Sequence, residues 1–146
     1  MKVIGIDPGI KGGIAVLDND KLVEVVNMPE TAKDVCSFLK KHSDGIAYLE
    51  ELGGMPKMSG TSMFKLGRGY GNLEMALLAN EIRTIKVRPQ KWEKSYSLGT
   101  KAKAGGYTAW KRVLKAKAQE LFPNTKVTLV NCDALLIAWY GYKNEK

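Results

Sequence analysis

Three acidic residues occupy positions where a carboxylate calls for an explanation. Asp7 closes the β-branched run KVIGID (2–7) and is followed at once by Pro8 and Gly9, with Gly12 and Gly13 before apolar residues resume. Glu50 closes a similar run, GIAYLE (45–50), and Asp133 stands at the start of the apolar stretch CDALLIAWYG (132–141). A carboxylate beside a glycine turn suits two chemistries. One is a turn that cradles phosphate, and the other is ligation of a hard cation such as Mg²⁺ or Mn²⁺. Two such ions about 4 Å apart can activate a water and stabilise the leaving oxygen in phosphodiester hydrolysis. Purely structural roles are also open. Asp7 could cap a turn, and Asp133 falls in the first turn of a helix with Asn131 at its N-cap, where the dipole favours negative charge.

The choice depends on the elements that position these residues. KVIGID, GIAVLDND (13–20) and KLVEVVNM (21–28) read as three strands, the last two separated by the turn-type pair Asn19-Asp20. Strands so close in sequence predict an antiparallel meander. Val35, Phe38 and Leu39 give helical spacing over 31–42. That helix predicts a crossover, so the strand 45–50 is expected to lie parallel to the first. Asp7 and Glu50 would then share one sheet edge, on strands about 4.8 Å apart. Glu51 would face away from Glu50. After a glycine- and methionine-rich loop (53–61), a helix over 62–81, a short strand over 84–89, and helices over 107–121 and 132–141 complete the chain. The pattern predicts one α/β domain over residues 1–146, a mixed five-stranded sheet flanked by helices.

Composition narrows the partners. The net charge is +8, and its distribution is uneven. Residues 1–85 carry ten Lys/Arg against eleven Asp/Glu, whereas 86–126 carry eleven against only Glu93 and Glu120. That block is interleaved with Trp92, Tyr96, Tyr107 and Trp110, a composition suited to nucleic acid. Trp92 could stack on a base, although packing in the core is the commoner fate of such a residue. Cys36 and Cys132 lack the paired spacing of a zinc site or disulfide framework and are expected to be small buried residues. His42, after Lys40 and Lys41, is expected at an exposed helix end. No apolar run approaches the roughly 18 residues that span a bilayer, and no signal-peptide pattern opens the sequence. A cytoplasmic protein is expected. Gly67, Gly69 and Gly71 inside a helix each cost about 1 kcal/mol against Ala, which suggests close approach by DNA or by a partner subunit.

The ordered blocks IGIDPGIKGGIAV, YLEEL, SMFKLGRGYGNLEMALLA, VRPQKWEKSYSLG, AQELFP and DALLIAWYG run over nearly the whole chain. Together they resemble the bacteriophage-type branch of the RuvC-like Holliday junction resolvases, which have the ribonuclease H-like fold. The resemblance implies a homodimeric endonuclease, dependent on Mg²⁺ or Mn²⁺ with two ions per site, that nicks four-way and related branched DNA in pairs. By match to the motifs, Asp7, Glu50 and Asp133 take the catalytic metal-ligand positions. The helix 62–81 would shape the DNA cleft and contribute to the dimer, with Met75, Leu78 and Ile82 at an isologous contact. Lys11, Lys65, Arg68, Gly69, Lys91, Lys94, Lys101 and Lys103 are the candidate DNA contacts. The sequence departs from the pattern at one place. Such resolvases usually carry a second acidic or histidine ligand shortly before the last aspartate, whereas VTLVNC (127–132) has neither, leaving Asn131 as a neutral fourth donor.

Three other readings compete. Actin- and hexokinase-like ATPases hold phosphates with a similar turn, but they need a second phosphate turn and a second lobe, for which 146 residues leave no room. The missing acid favours a catalytically impaired junction-binding protein, and the fold also hosts ribonucleases that act on RNA–DNA hybrids.

Overall fold

A computed structural model describes residues 1–53 and 57–146. The loop expected over 53–61 therefore falls partly on residues 54–56, outside the described residues. Strands β1 (Lys2–Asp7), β2 (Gly13–Asp18) and β3 (Lys21–Asn27) form the antiparallel meander, and Asn19 takes the left-handed turn conformation at φ 55°. Helix α1 (Ala32–Lys41) starts at Thr31, whose hydroxyl accepts from the Asp34 N–H, and crosses over to β4 (Ile46–Glu50). Helix α2 (Gly60–Ala79) leads to β5 (Arg83–Val87). The sheet order is β3-β2-β1-β4-β5, with β1, β4 and β5 parallel. This is the expected mixed five-stranded sheet.

Alternation along the strands divides the core in two. Ile4, Ile6, Ala47 and Leu49 pack towards α1 and α2. Val3 and Tyr48 point to the other face, where α6 (Cys132–Glu145) covers the sheet and α5 (Tyr107–Leu121) packs on α6, with Trp110, Leu114, Leu135 and Ile137 in this half of the core. Gly5 explains how closely α6 sits. A Cβ there would overlap the backbone of Ala134 and Ala138, so the bare backbone of β1 is what lets the helix lie against it. Further along the helix, Gly141 allows the same closeness against Tyr48 and Val3.

Several sequence expectations change. The stretch between the expected strand 84–89 and the helix expected from 107, for which no element is expected, contains α3 (Pro89–Lys94) and α4 (Lys101–Ala104). Pro89 opens α3 at its first position instead of closing β5, since the missing N–H costs nothing there. Helix α6 runs past Gly141 to Glu145, for the packing reason just given. His42 is not exposed. It is buried at the end of α1, its Nε2 3.0 Å from Glu24 and its ring tilted against Phe38. Cys132 is buried, as expected, while Cys36 is only partly so. Ile82 packs into the core, whereas Met75 and Leu78 are 62% and 71% exposed. Gly67, Gly69 and Gly71 are exposed on α2, and a Cβ at any of them would meet nothing within 4 Å. Among the described residues no helix is long and apolar enough to cross a membrane.

Gly5 and Gly67 should therefore respond oppositely to the same substitution. Gly5→Ala should lower the unfolding free energy by about 3 kcal/mol, because backbone on both sides has no room to give. Gly67→Ala should raise it by up to about 1 kcal/mol through helix propensity. Denaturant unfolding of the two variants tests both; an unaffected Gly5→Ala protein would mean that α6 is not seated as described.

Candidate active site

The parallel register of β1 and β4 pairs Ile6 with Leu49, so the next residues, Asp7 and Glu50, stand side by side at the carboxyl edge. Period-two alternation gives them the same face as Val3, Gly5 and Tyr48, the face covered by α6. Glu51 follows Leu49 to the other side and pairs with Arg88 at 3.5 Å. The first turn of α6 reaches the same edge: Gly13, which pairs with Asp7, lies against the backbone of Asn131 and the methyl of Ala134. Asp133 is thereby delivered to the acidic pair.

The electrostatics agree with this crowding. Burial pushes the Asp7 carboxyl up to about 6, with the Asp133 charge adding to it and the Gly9 N–H opposing. Burial likewise pushes Glu50 up to about 8, with Asp7 adding to the shift and the Trp92 hydrogen bond opposing it. Such carboxyls resist ionisation until a positive charge joins them. As they stand, each acid is turned to its own partner. Asp7 Oδ1 accepts from the Gly9 N–H at 3.1 Å, Glu50 Oε2 from Trp92 Nε1 at 2.7 Å, and Asp133 Oδ2 from Lys111 Nζ at 2.7 Å. Among the described residues no three acid, histidine or cysteine side chains close on one point as a finished metal cage. The donor chemistry nevertheless fits a divalent ion. Asp7 and Glu50 are adjacent hard oxygen donors, both partly buried and neither in an ion pair among the described residues.

Asn131 does not take the place of the absent acid. Its Oδ1 accepts from the Thr128 N–H at 2.8 Å and its Nδ2 donates to the Lys126 carbonyl at 3.3 Å, so the amide ties down the turn before α6. It occupies the N-cap position without making a side-chain cap. Trp92 is fully buried, and its bond to Glu50 makes it a support for that carboxylate instead of a surface for stacking bases.

The expected DNA contacts divide by location. Gly69 and Lys65 line a cleft shared with Pro8, Gly9 and Ile10, beside the Asp7 turn. Lys91 and Lys94 flank Trp92 on α3, and Lys101 and Lys103 lie on α4, with Lys101 over the Tyr107 ring at 5.5 Å. Lys11 and Arg68 are exposed. None of these seven cations pairs with an acid among the described residues, while Lys2, Lys41, Lys86, Lys111 and Lys117 do. Unpaired surface cations are free to meet phosphates.

Two residues escaped the sequence reading. Lys111 lies three and seven residues before Leu114 and Ala118, on the apolar stripe of α5, and a lysine on such a stripe signals a buried charge. Burial works against its ammonium, yet the Asp133 carboxylate beside it raises its pKa above the ordinary lysine value. Glu93 is half-buried next to Trp92; burial holds its carboxyl above the usual range, and the Asp133 charge adds to that. Nothing local marks Glu93 out.

Solved structures share this architecture. One is described as "T. thermophilus RuvC in complex with Holliday junction substrate", 17% identical, matching over 99% of this chain and 96% of that one with a TM-score of 0.69. Another is "Thermus thermophilus RuvC structure", 21% identical over 99% and 96%, with a TM-score of 0.67. No family model and no curated protein matches the sequence. At such identities the likeness concerns fold, and it does not bear on the bacteriophage-type branch. The chain has the ribonuclease H-like fold in the arrangement seen in RuvC.

Proposed function

We propose that this chain is a structure-selective DNA endonuclease that nicks four-way junctions and related branched DNA with Mg²⁺ or Mn²⁺. The observation that carries the reading is the pairing of Asp7 and Glu50 at the ends of parallel strands, with Asp133 brought to them by α6. Support comes from the unpaired lysines around that edge, and from likeness in fold to a protein solved with a Holliday junction substrate. We place the junction-facing surface on the Asp7 turn, on α2 at Lys65 and Gly69, and on α3 and α4.

Asp7 and Glu50 would hold the divalent ion, which supplies an activated water and charge stabilisation for phosphodiester hydrolysis. Trp92 keeps Glu50 in one orientation through its indole N–H. The lysines bind flanking phosphates and steepen the salt dependence of affinity. Met75 and Leu78, exposed on α2, are proposed to meet a second copy across a two-fold axis, which would present two acidic sites to the two symmetric strands of a junction. The absent second acid before Asp133 specifically favours one other reading, a junction binder with impaired cleavage.

With Mg²⁺ or Mn²⁺ the protein should make paired nicks in a synthetic four-way junction and spare linear duplex. Asp7→Asn and Glu50→Gln should each reduce cleavage by about a hundredfold or more while junction binding survives. Cleavage retained in either variant would remove that residue from the mechanism; tight binding without cleavage by the wild type would establish the impaired binder. Preferential cutting of an RNA–DNA hybrid in the same assay would transfer the activity to the ribonuclease reading.

The crowded acids also predict a pH dependence without metal. Glu50 titrates near 4.5 when unfolded and near 8 when folded, so between these values the native state holds the extra proton and stability falls as pH rises. The loss by pH 8 is on the order of a few kcal/mol. Glu50→Gln should flatten this slope in thermal unfolding, and so should Mn²⁺ added to the wild type. A parallel pH profile for wild type and variant would contradict the buried, uncompensated carboxyl. For the dimer, Leu78→Glu should shift the sedimentation of the protein from dimer to monomer; a wild type that sediments as a monomer would exclude this contact.

A further inference from the structure

Lys111 is the one cation drawn into the acidic edge by an ion pair among the described residues. Its Nζ lies 2.7 Å from Asp133 Oδ2, and the two side chains are 14% and 15% exposed. A buried ammonium persists when it is paired, and its position on the Leu114–Ala118 stripe of α5 fixes it there. The turn before Asp133 supplies no further carboxylate, and the Asn131 amide is committed to Thr128 and Lys126. Glu93 lies at the margin of this edge with the Lys101 charge near it, and these two formal charges offset each other. The remaining three carboxylates, Asp7, Glu50 and Asp133, share the edge with one ammonium. Their formal charges leave two negative charges to be balanced, which is the charge of one divalent ion.

We propose that Lys111 is a tethered cation that stands in for the second metal, so that this site takes a single divalent ion, at Asp7 and Glu50. The proposal rests on the reading of the chain as a metal-dependent nuclease and replaces the two-ion expectation. Lys111 acts through Asp133: it neutralises that carboxylate and orients it, and the helix α5 holds the positive charge that the missing acid would otherwise have recruited as a metal ion. One of the three positive charges that balance Asp7, Glu50 and Asp133 is then covalently built in.

The test counts ions in the protein alone. Manganese titration followed by electron paramagnetic resonance, at mildly alkaline pH, should show one Mn²⁺ per wild-type chain. Lys111→Met should either take up a second Mn²⁺ or bind the first about tenfold more tightly, since removing one unit charge a few ångströms away is worth at least that much. Lys111→Arg should keep the wild-type stoichiometry. Circular dichroism establishes that each variant is folded, and if Lys111→Met is not, the wild-type stoichiometry alone still decides between one ion and two. Two Mn²⁺ in the wild type, or unchanged binding in a folded Lys111→Met protein, would overturn the proposal and leave the nuclease reading intact. No Mn²⁺ binding at all would sink both.

Discussion

The contact on which the site depends is the one between the bare backbone of Gly5 and the first two turns of α6. Helix and strand meet there without a side chain between them, and the separation fixes how far Asp133 stands from Asp7. Everything else at the acidic edge follows from ordinary sheet geometry. The parallel register places Glu50 beside Asp7, and period-two alternation turns both carboxylates towards the helix. Had β1 carried any side chain at position 5, α6 would ride higher and the third carboxylate would be withdrawn.

That closeness sets up an electrostatic problem that the surrounding residues solve unequally. Asp133 has Lys111, at 2.7 Å. Glu50 has only the neutral indole of Trp92, and Asp7 only a backbone N–H. The two acids without a cation are the ones whose pKa values rise most clearly, which makes them the natural place for an exogenous positive charge. The asymmetry separates the edge into a region already neutralised by the chain and a region that is not.

The acidic pair was legible because both residues end runs of β-branched and apolar side chains, and because the helix at 31–42 requires a crossover and hence parallel strands. Those are local patterns with one geometric consequence. Other features depended on contacts between residues far apart in sequence. The buried His42 pairs with Glu24, which sits on a strand that nothing near His42 identifies. Trp92 reaches Glu50 across 42 positions. The short helices α3 and α4 are too brief to show periodicity and lie in a segment whose lysines and glycines resemble a loop. Lys111 was hidden for a different reason: in a block with eleven basic residues, one more lysine attracts no notice until the apolar stripe around it is counted.

The seating of α6 on β1 joins elements from opposite ends of the chain order, and this bears on how the molecule comes into being. During synthesis the meander of β1, β2 and β3 can pair as soon as it emerges, since its contacts are local. One face of that sheet has no cover until α6 is made, so Val3, Ala15 and Leu17 stay exposed on a partial chain. The third carboxylate and its lysine arrive on the same late elements. A nascent chain therefore carries its glycine turn and first acids early but has no assembled acidic edge, and that edge is completed only by the last stage of folding.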